Sequence, residues 1–245
     1  MFVVTHKEVP VKLPENYIPI QVGKCNTGIE LPYIRDDSGD NISLKNSNYC
    51  ELTAIYWLWK NYDLPQYVGI CHYRRFLVKG LFSKFIDEQE VIKEMENKDV
   101  ILPEEFHNQM TVYDYYIKGS GVKKDIDQLR KIVECNYKDY LEDYDYITKA
   151  ESTSYCNIAI MKREDFKSYC EWLFDVLFEL EKVTDLTGYT PKEQRIYGYL
   201  SEFLLDVWIR HNKLRIEHYK VFHVKENWFR NILSKTKLGL RKTNK

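Results

Sequence analysis

Short apolar or β-branched runs alternate along this chain with segments long enough for helices, and that alternation constrains the fold more than any other feature. The runs are Phe2 to Thr5, Tyr17 to Val22, Tyr67 to Cys71, Val100 to Leu102, Asn157 to Met161 and Leu214 to Val224. Between them, 43–62 carries Leu52, Ile55, Tyr56 and Trp59 at helical spacing, and 164–183 carries Phe166, Tyr169, Cys170, Leu173, Leu177 and Leu180 in a three-and-four rhythm. Each predicts a helix with one buried face. Thr190-Pro191 followed by Glu193 supplies an N-cap, a first-turn proline and an acid, which predicts a third helix through about Ile209. Strands alternating with helices predict an α/β fold, a mainly parallel sheet flanked by helices.

Composition narrows the class. With 15% aromatic residues and only 10 Gly and 7 Pro in 245 residues, the chain is neither disordered nor collagen-like. Its 36 basic and 37 acidic side chains nearly cancel, so nothing draws it as a whole toward nucleic acid. The cancellation conceals an asymmetry: 225–245 holds seven basic residues against the single acid Glu226, interleaved with Trp228, Phe229, Ile232 and Leu233, and the remainder is acidic. A domain over 1–224 followed by a basic amphipathic tail is expected. Such a tail suits an anionic membrane surface, at ~1 kcal/mol per basic residue, or is an ordinary docking helix with a basic end. No apolar run approaches the ~20 residues of a spanning helix, and MFVVTHKEVP lacks a secretory pattern, so a cytoplasmic protein, peripheral at the inner face of the plasma membrane, is expected. The six cysteines are scattered without a CxxC pair and read as reduced core thiols. Segment 123–146 reads as one or two amphipathic helices, with Ile126, Leu129, Ile132 and Val133 facing in and Asp125, Asp127, Lys131 and Lys138 facing out.

Three polar clusters can carry chemistry. The first, 35–43, holds Asp36, Asp37, Asp40 and Asn41 before a helix start; it can hold a divalent cation, accept hydrogen bonds from ribose hydroxyls, or cap the helix. In the second, an apolar strand runs into His72-Tyr73-Arg74-Arg75, placing a titratable ring and two guanidinium groups at the carboxyl end of a central strand, where open α/β sheets bind ligands. Arginine forks suit phosphate oxygens. Because strand residues alternate in direction, one arginine reaches the ligand and the other pairs with an acid such as those at 36–40. The third places Arg195, Gly198, Tyr199 and Glu202 on one helical face, polar where a core stripe is apolar. His6-Lys7 and Ser154-Tyr155-Cys156-Asn157, at strand ends, are weaker signals. GxGxxG, GxxxxGK[ST], GxSxG, HExxH and a strand-borne Asp-x-Asp are absent, which removes Rossmann oxidoreductases, P-loop hydrolases, α/β-hydrolases and zincins.

Segments 36–43 (DDSGDNIS), 48–61 (NYCELTAIYWLWKN) and 67–76 (YVGICHYRRF) resemble a bacterial capsular and exopolysaccharide glycosyltransferase-like family, long filed as a domain of unknown function, whose members are often described as lipopolysaccharide or galactofuranosyl transferases. The likeness continues through 101–103, 111–113, Asn157, Met161-Lys162, 169–174 and 195–202, and covers roughly residues 1 to 222. It implies a GT-A-like fold and transfer of a hexose, possible galactofuranose included, from a nucleotide-sugar donor, UDP-linked by preference, to a lipid-linked saccharide acceptor in capsule, exopolysaccharide or O-antigen synthesis. Where most GT-A enzymes carry a metal-binding Asp-x-Asp, this chain has His72-Tyr73-Arg74-Arg75. Either the arginines replace the metal at the diphosphate, the favoured reading with no cofactor required, or manganese or magnesium sits at Asp36, Asp37 and Asp40. The expected roles are Glu202 as general base with Asp40 second and His72 beside them; His6, Lys7, Asp37, Asn41, Arg74, Arg75 and Arg195 on the donor; and Asn157 and Tyr199 on the acceptor. Inversion, needing a single base, is the simpler expectation. Two other readings stay open: a non-catalytic carbohydrate-binding or assembly protein, and a nucleotide-sugar hydrolase with a compact acidic metal site.

Overall fold

The computed structural model describes residues 1–79, 84–119 and 121–224; the basic tail at 225–245 lies outside them. Along the chain run β1 (Phe2–Thr5), β2 (Ile18–Gln21), β3 (Ile34–Arg35), α1 (Asn46–Tyr49), α2 (Leu52–Asn61), β4 (Tyr67–His72), β5 (Arg75–Lys79), β6 (Lys84–Phe85), α3 (Glu88–Met95), β7 (Val100–Pro103), β8 (Phe106–His107) and α4 (Val112–Gly119). Then come α5 (Lys123–Asn136), α6 (Leu141–Lys149), β9 (Ser152–Thr153), β10 (Ala159–Lys162), α7 (Arg163–Val183), α8 (Ile196–His211) and β11 (Ile216–His223).

Nine strands form one sheet in the order β3-β2-β1-β4-β10-β7-β11-β5-β6. Only β5 and β10 run against the common direction, so the sheet is mainly parallel, as the alternation of runs predicts. Strand residues alternate between two cores. Phe2, Val4, Val68, Ile70, Val100, Leu102, Ala159 and Met161 face a large core shared with α2, α5, α7 and α8. Val3, Cys71, Ile101, Ile158 and Ile160 face a smaller one closed by Tyr17, Phe76, Ile86 and Met95. The six aromatic, aliphatic and thiol positions read from 164–183 are all buried on α7, and each fully buried Leu or Phe there stabilises by roughly 1.5–3 kcal/mol.

Several details differ from the sequence reading. Segment 43–62 is not one helix: it breaks at Cys50, whose φ of 51° lies in the left-handed region. Asn46 holds the break, its Nδ2 donating to the Cys50 carbonyl at 2.7 Å. Helix α8 presses against this point, where a Cβ on Gly198 would lie 2.9 Å from Cys50 Sγ; close approach explains a glycine that costs a helix about 1 kcal/mol. Helix α2 is buried along Leu52–Leu58 rather than on one face, because it is wedged between the sheet and α7, with Tyr56 edge-on to Phe174 and Trp59 stacked on it. Asp125 faces inward, accepting from the Tyr189 hydroxyl at 2.8 Å. All six cysteines are free, but only Cys71 and Cys170 are buried; a scattered pattern cannot tell a core position from a surface one. No helix among the described residues is long and apolar enough to cross a membrane.

The feature that positions the site is a tight hairpin. Strand β4 ends at His72, Tyr73 and Arg74 make the turn, and β5 begins at Arg75, paired back to His72. Strand β11 then places His223 opposite Arg75. The amide of Tyr73 donates to the Val4 carbonyl, tying the turn to the end of β1.

Candidate active site

A cleft of about 670 Å³ opens at the carboxyl ends of β1 and β4. Its walls come from His6 after β1, the hairpin residues His72, Tyr73, Arg74 and Arg75, the broken-helix residues Cys50 and Glu51, Gln194 and Arg195 ahead of α8, and His223 at the end of β11. Both hairpin arginines line it. The acidic loop is not the partner of either hairpin arginine, since its carboxylates are taken by Arg35, Tyr56 and backbone amides, and Arg74 lies in a turn that strand alternation does not govern. Tyr73 gathers cations around its ring: Arg74 at 4.9 Å, Lys7 at 5.5 Å and the His6 ring edge-on at 5.3 Å.

The electrostatics are those of an anion site. His6 is held below its ordinary value by burial, then by the charges of Lys7, Arg74 and Arg195. His223 is lowered by burial and Arg75. His72 is lowered chiefly by burial, against the opposing pull of Glu51. Burial is the first cause for all three imidazoles, and the neighbouring arginines add to it. His72 Nε2 lies 2.6 Å from the Cys156 carbonyl; a carbonyl only accepts, so Nε2 carries the proton and Nδ1 is left as an acceptor.

A strained turn organises the carboxylates. Cys156 and Asn157 have φ of 86° and 50°, two successive non-glycine residues in the left-handed region, a conformation that costs roughly 1–3 kcal/mol per residue and gathers at functional sites. From this turn the Asn157 amide donates to Glu51 Oε1 at 2.7 Å and to Ser201 Oγ at 2.8 Å. The Cys156 amide serves Glu202, and its carbonyl serves His72. Glu202 is half-buried, and its carboxyl is pushed up to about 8, first by burial and then by the negative charge of Glu51, with Arg75 and Arg195 opposing. Burial and the Glu51 charge thus favour the protonated form of Glu202.

The expected site residues divide into four groups. His6, His72, Arg74, Arg75 and Arg195 line the cleft together, and Lys7 stands beside them over Tyr73. Tyr199 and Glu202 share a smaller cavity of about 60 Å³ with Tyr115 and Tyr155, behind Arg195, whose guanidinium lies 5.0 Å from the Tyr199 ring. Asn157 is buried and holds Glu51; its amide is committed inside the protein rather than offered to a saccharide. Asp37, Asp40 and Asn41 do not line the cleft. Asp37 pairs with Arg35 at 2.6 Å, Asp40 accepts from the Tyr56 hydroxyl at 3.0 Å, and Asn41 bridges Gly39 and the Ser43 amide. Asp36 is buried, accepting from the Gly23 and Lys24 amides and the Ser43 hydroxyl. The acidic loop is thus closed upon itself. Among the described residues no three His, Cys, Asp or Glu side chains are grouped to hold a metal ion. Glu51 and His223 escaped the sequence reading: Glu51 sits between apolar helix positions, and His223 ends a strand with no motif around it.

Comparison with known proteins follows the same lines. None of the curated proteins compared with the chain matches it. A solved structure described as the apo form of the bifunctional glycosyltransferase WbbM aligns with a TM-score of 0.83 and 31% identity, over 92% of this chain and 45% of that one, so this chain spans less than half of that protein's length. The likeness supports the α/β architecture described above. A family model described as a domain of unknown function, DUF4422, matches residues 1–213, most of the chain, and the protein belongs to that family.

Proposed function

We propose that the protein is a glycosyltransferase that moves a hexose from a nucleoside diphosphate donor, UDP-linked by preference, to a saccharide acceptor. The observation that carries the reading is the convergence of Arg74, Arg75 and Arg195 with the Glu51 carboxylate in one cleft at the carboxyl ends of β1 and β4. The likeness to a bifunctional glycosyltransferase supports it. In this reading the diphosphate lies against the arginines, which supply the positive charge that a divalent cation supplies elsewhere. The acceptor hydroxyl attacks the anomeric carbon, the bond to the diphosphate oxygen breaks with its electron pair leaving on the phosphate, and the hydroxyl proton passes to Glu51. Glu51 lines the cleft beside the arginines and is held by Asn157 at 2.7 Å, whereas Glu202 lies in the smaller cavity behind them, so Glu51 replaces it as first candidate for the base. A single base of this kind suits inversion.

The test is turnover of a panel of UDP-hexoses, with calorimetry of uridine diphosphate binding, each with manganese and with a chelator. Donor turnover and binding that survive chelation are expected; a chain that neither binds nucleoside diphosphates nor consumes a donor is not a transferase, and the carbohydrate-binding alternative then takes its place. A lipid-linked acceptor at the inner face of a membrane is part of the same proposal, supported by the basic composition of 225–245. The full chain is expected to sediment with phosphatidylglycerol vesicles; equal partitioning of a chain ending at Val224 refutes that part.

A further inference from the structure

Outside the cleft, the two-stranded ribbon of β8 and β9 carries an aromatic group that no core uses. Phe106 is 53% exposed and Tyr115, on the outer side of α4, is 38% exposed. With Tyr155, which follows β9, they form a triangle with ring centroids 5.3–6.1 Å apart. The triangle is braced, since Asn108 Nδ2 donates to the Tyr155 hydroxyl at 3.0 Å. Exposed large aromatics in a cluster mark an interaction surface.

Two observations select the occupant. The patch is small and bordered by polar groups: Glu105 beside Ser152, the Asn108 amide, and the Glu202 carboxyl at its inner end. An apolar protein partner would leave those groups without water, whereas a polyol satisfies them with hydroxyls while its C–H face covers the rings. The patch also opens onto the small cavity that Tyr115 and Tyr155 line with Tyr199 and Glu202, behind Arg195.

We infer that Phe106, Tyr115 and Tyr155 form a saccharide subsite on which a sugar ring stacks, its hydroxyls reaching Tyr199 and Glu202. Its assignment to the acceptor rests on the transferase reading; saccharide binding itself does not.

Saturation-transfer NMR with the methyl glycosides of glucose, galactose, mannose and N-acetylglucosamine tests it on the full chain. At least one glycoside is expected to give a signal that falls fivefold or more in Phe106→Ala and in Tyr115→Ala, survives in Phe106→Trp, and is not displaced by uridine diphosphate. Because both truncated side chains are more than a third exposed, unchanged melting temperatures accompany the loss. No signal from any glycoside, a signal that persists in both alanine variants, or displacement by uridine diphosphate overturns the subsite. Uridine diphosphate binding followed separately by calorimetry keeps the two readings apart: its absence with the glycoside signal intact removes the acceptor role and leaves the platform standing.

Discussion

Replacing Glu51 with Gln is expected to lower kcat for sugar transfer by about 10²–10⁴-fold, the range a positioned general base contributes. The expectation comes from how the carboxylate is held. Glu51 follows the left-handed residue at Cys50, which breaks α1 from α2 and turns the next side chain into the cleft. Asn157 fixes Oε1 at 2.7 Å, and Asn157 is itself pinned by Ser201 on α8. A Gln keeps an oxygen for that amide to donate to, so the substitution removes the base without removing the support. The affinity for a nucleoside diphosphate should hold or tighten, because a negative charge leaves an anion site. Glu202→Gln serves as the control. Burial pushes its carboxyl up to about 8, which favours the neutral form, so a neutral amide is a small change and kcat should stay within about tenfold. A Glu51→Gln enzyme within fivefold of the parent, beside an inactive Glu202→Gln enzyme, would return the role of base to Glu202.

The second large effect falls on binding. Arg75→Ala and Arg195→Ala should each weaken uridine diphosphate by roughly 10–150-fold, since a hydrogen bond to a charged group contributes about 1.5–3 kcal/mol and each 1.4 kcal/mol is about a decade. Arg75 makes no side-chain hydrogen bond or ion pair with another described residue, which leaves its fork available. Arg195 holds the Cys50 thiol, Nε to Sγ 3.2 Å, and lies over the Tyr199 ring, so among the described residues no carboxylate is hydrogen-bonded to it. Lysine at either position should recover part of the affinity, since it restores charge without the planar pair of donors. Calorimetry measures all four variants, and affinities unchanged by both alanines would remove the diphosphate from this cleft.

Much of the framework was legible because apolar patterning is a strong signal. The cores of β1, β2, β4, β7, β10 and β11 coincide with the runs read from the sequence, and α7 with its rhythm. What escaped depends on backbone geometry that residue type does not announce. The Tyr73-Arg74 turn contains no Gly, Pro or Asn, so nothing in the sequence marked the hairpin into β5. Cys50 and Cys156 adopt positive φ without being glycine, held there by tertiary contacts. The same limit misdirected the acidic loop. Asp36, Asp37 and Asp40 drew attention as charges, yet their partners lie within the loop and its neighbours: Asp36 holds backbone amides, Asp37 the Arg35 side chain and Asp40 the Tyr56 hydroxyl. Of the cleft, the arginines and histidines near motifs were visible, while Glu51 was hidden among the apolar residues that bury α2.

The three depressed histidines couple occupancy of the cleft to protons. Their values are low partly because cationic neighbours stand next to empty space: Lys7, Arg74 and Arg195 around His6, Arg75 beside His72 and His223. A polyphosphate anion entering that space would offset the cationic part of the shift, leaving the part due to burial, so all three are expected to move upward and binding to draw protons from solution. The sign follows directly: the occupied state holds more protons than the empty one, and affinity strengthens as pH falls through the histidine range. On the transferase reading, departure of a diphosphate is expected to release those protons, and the cleft to empty more readily as pH rises.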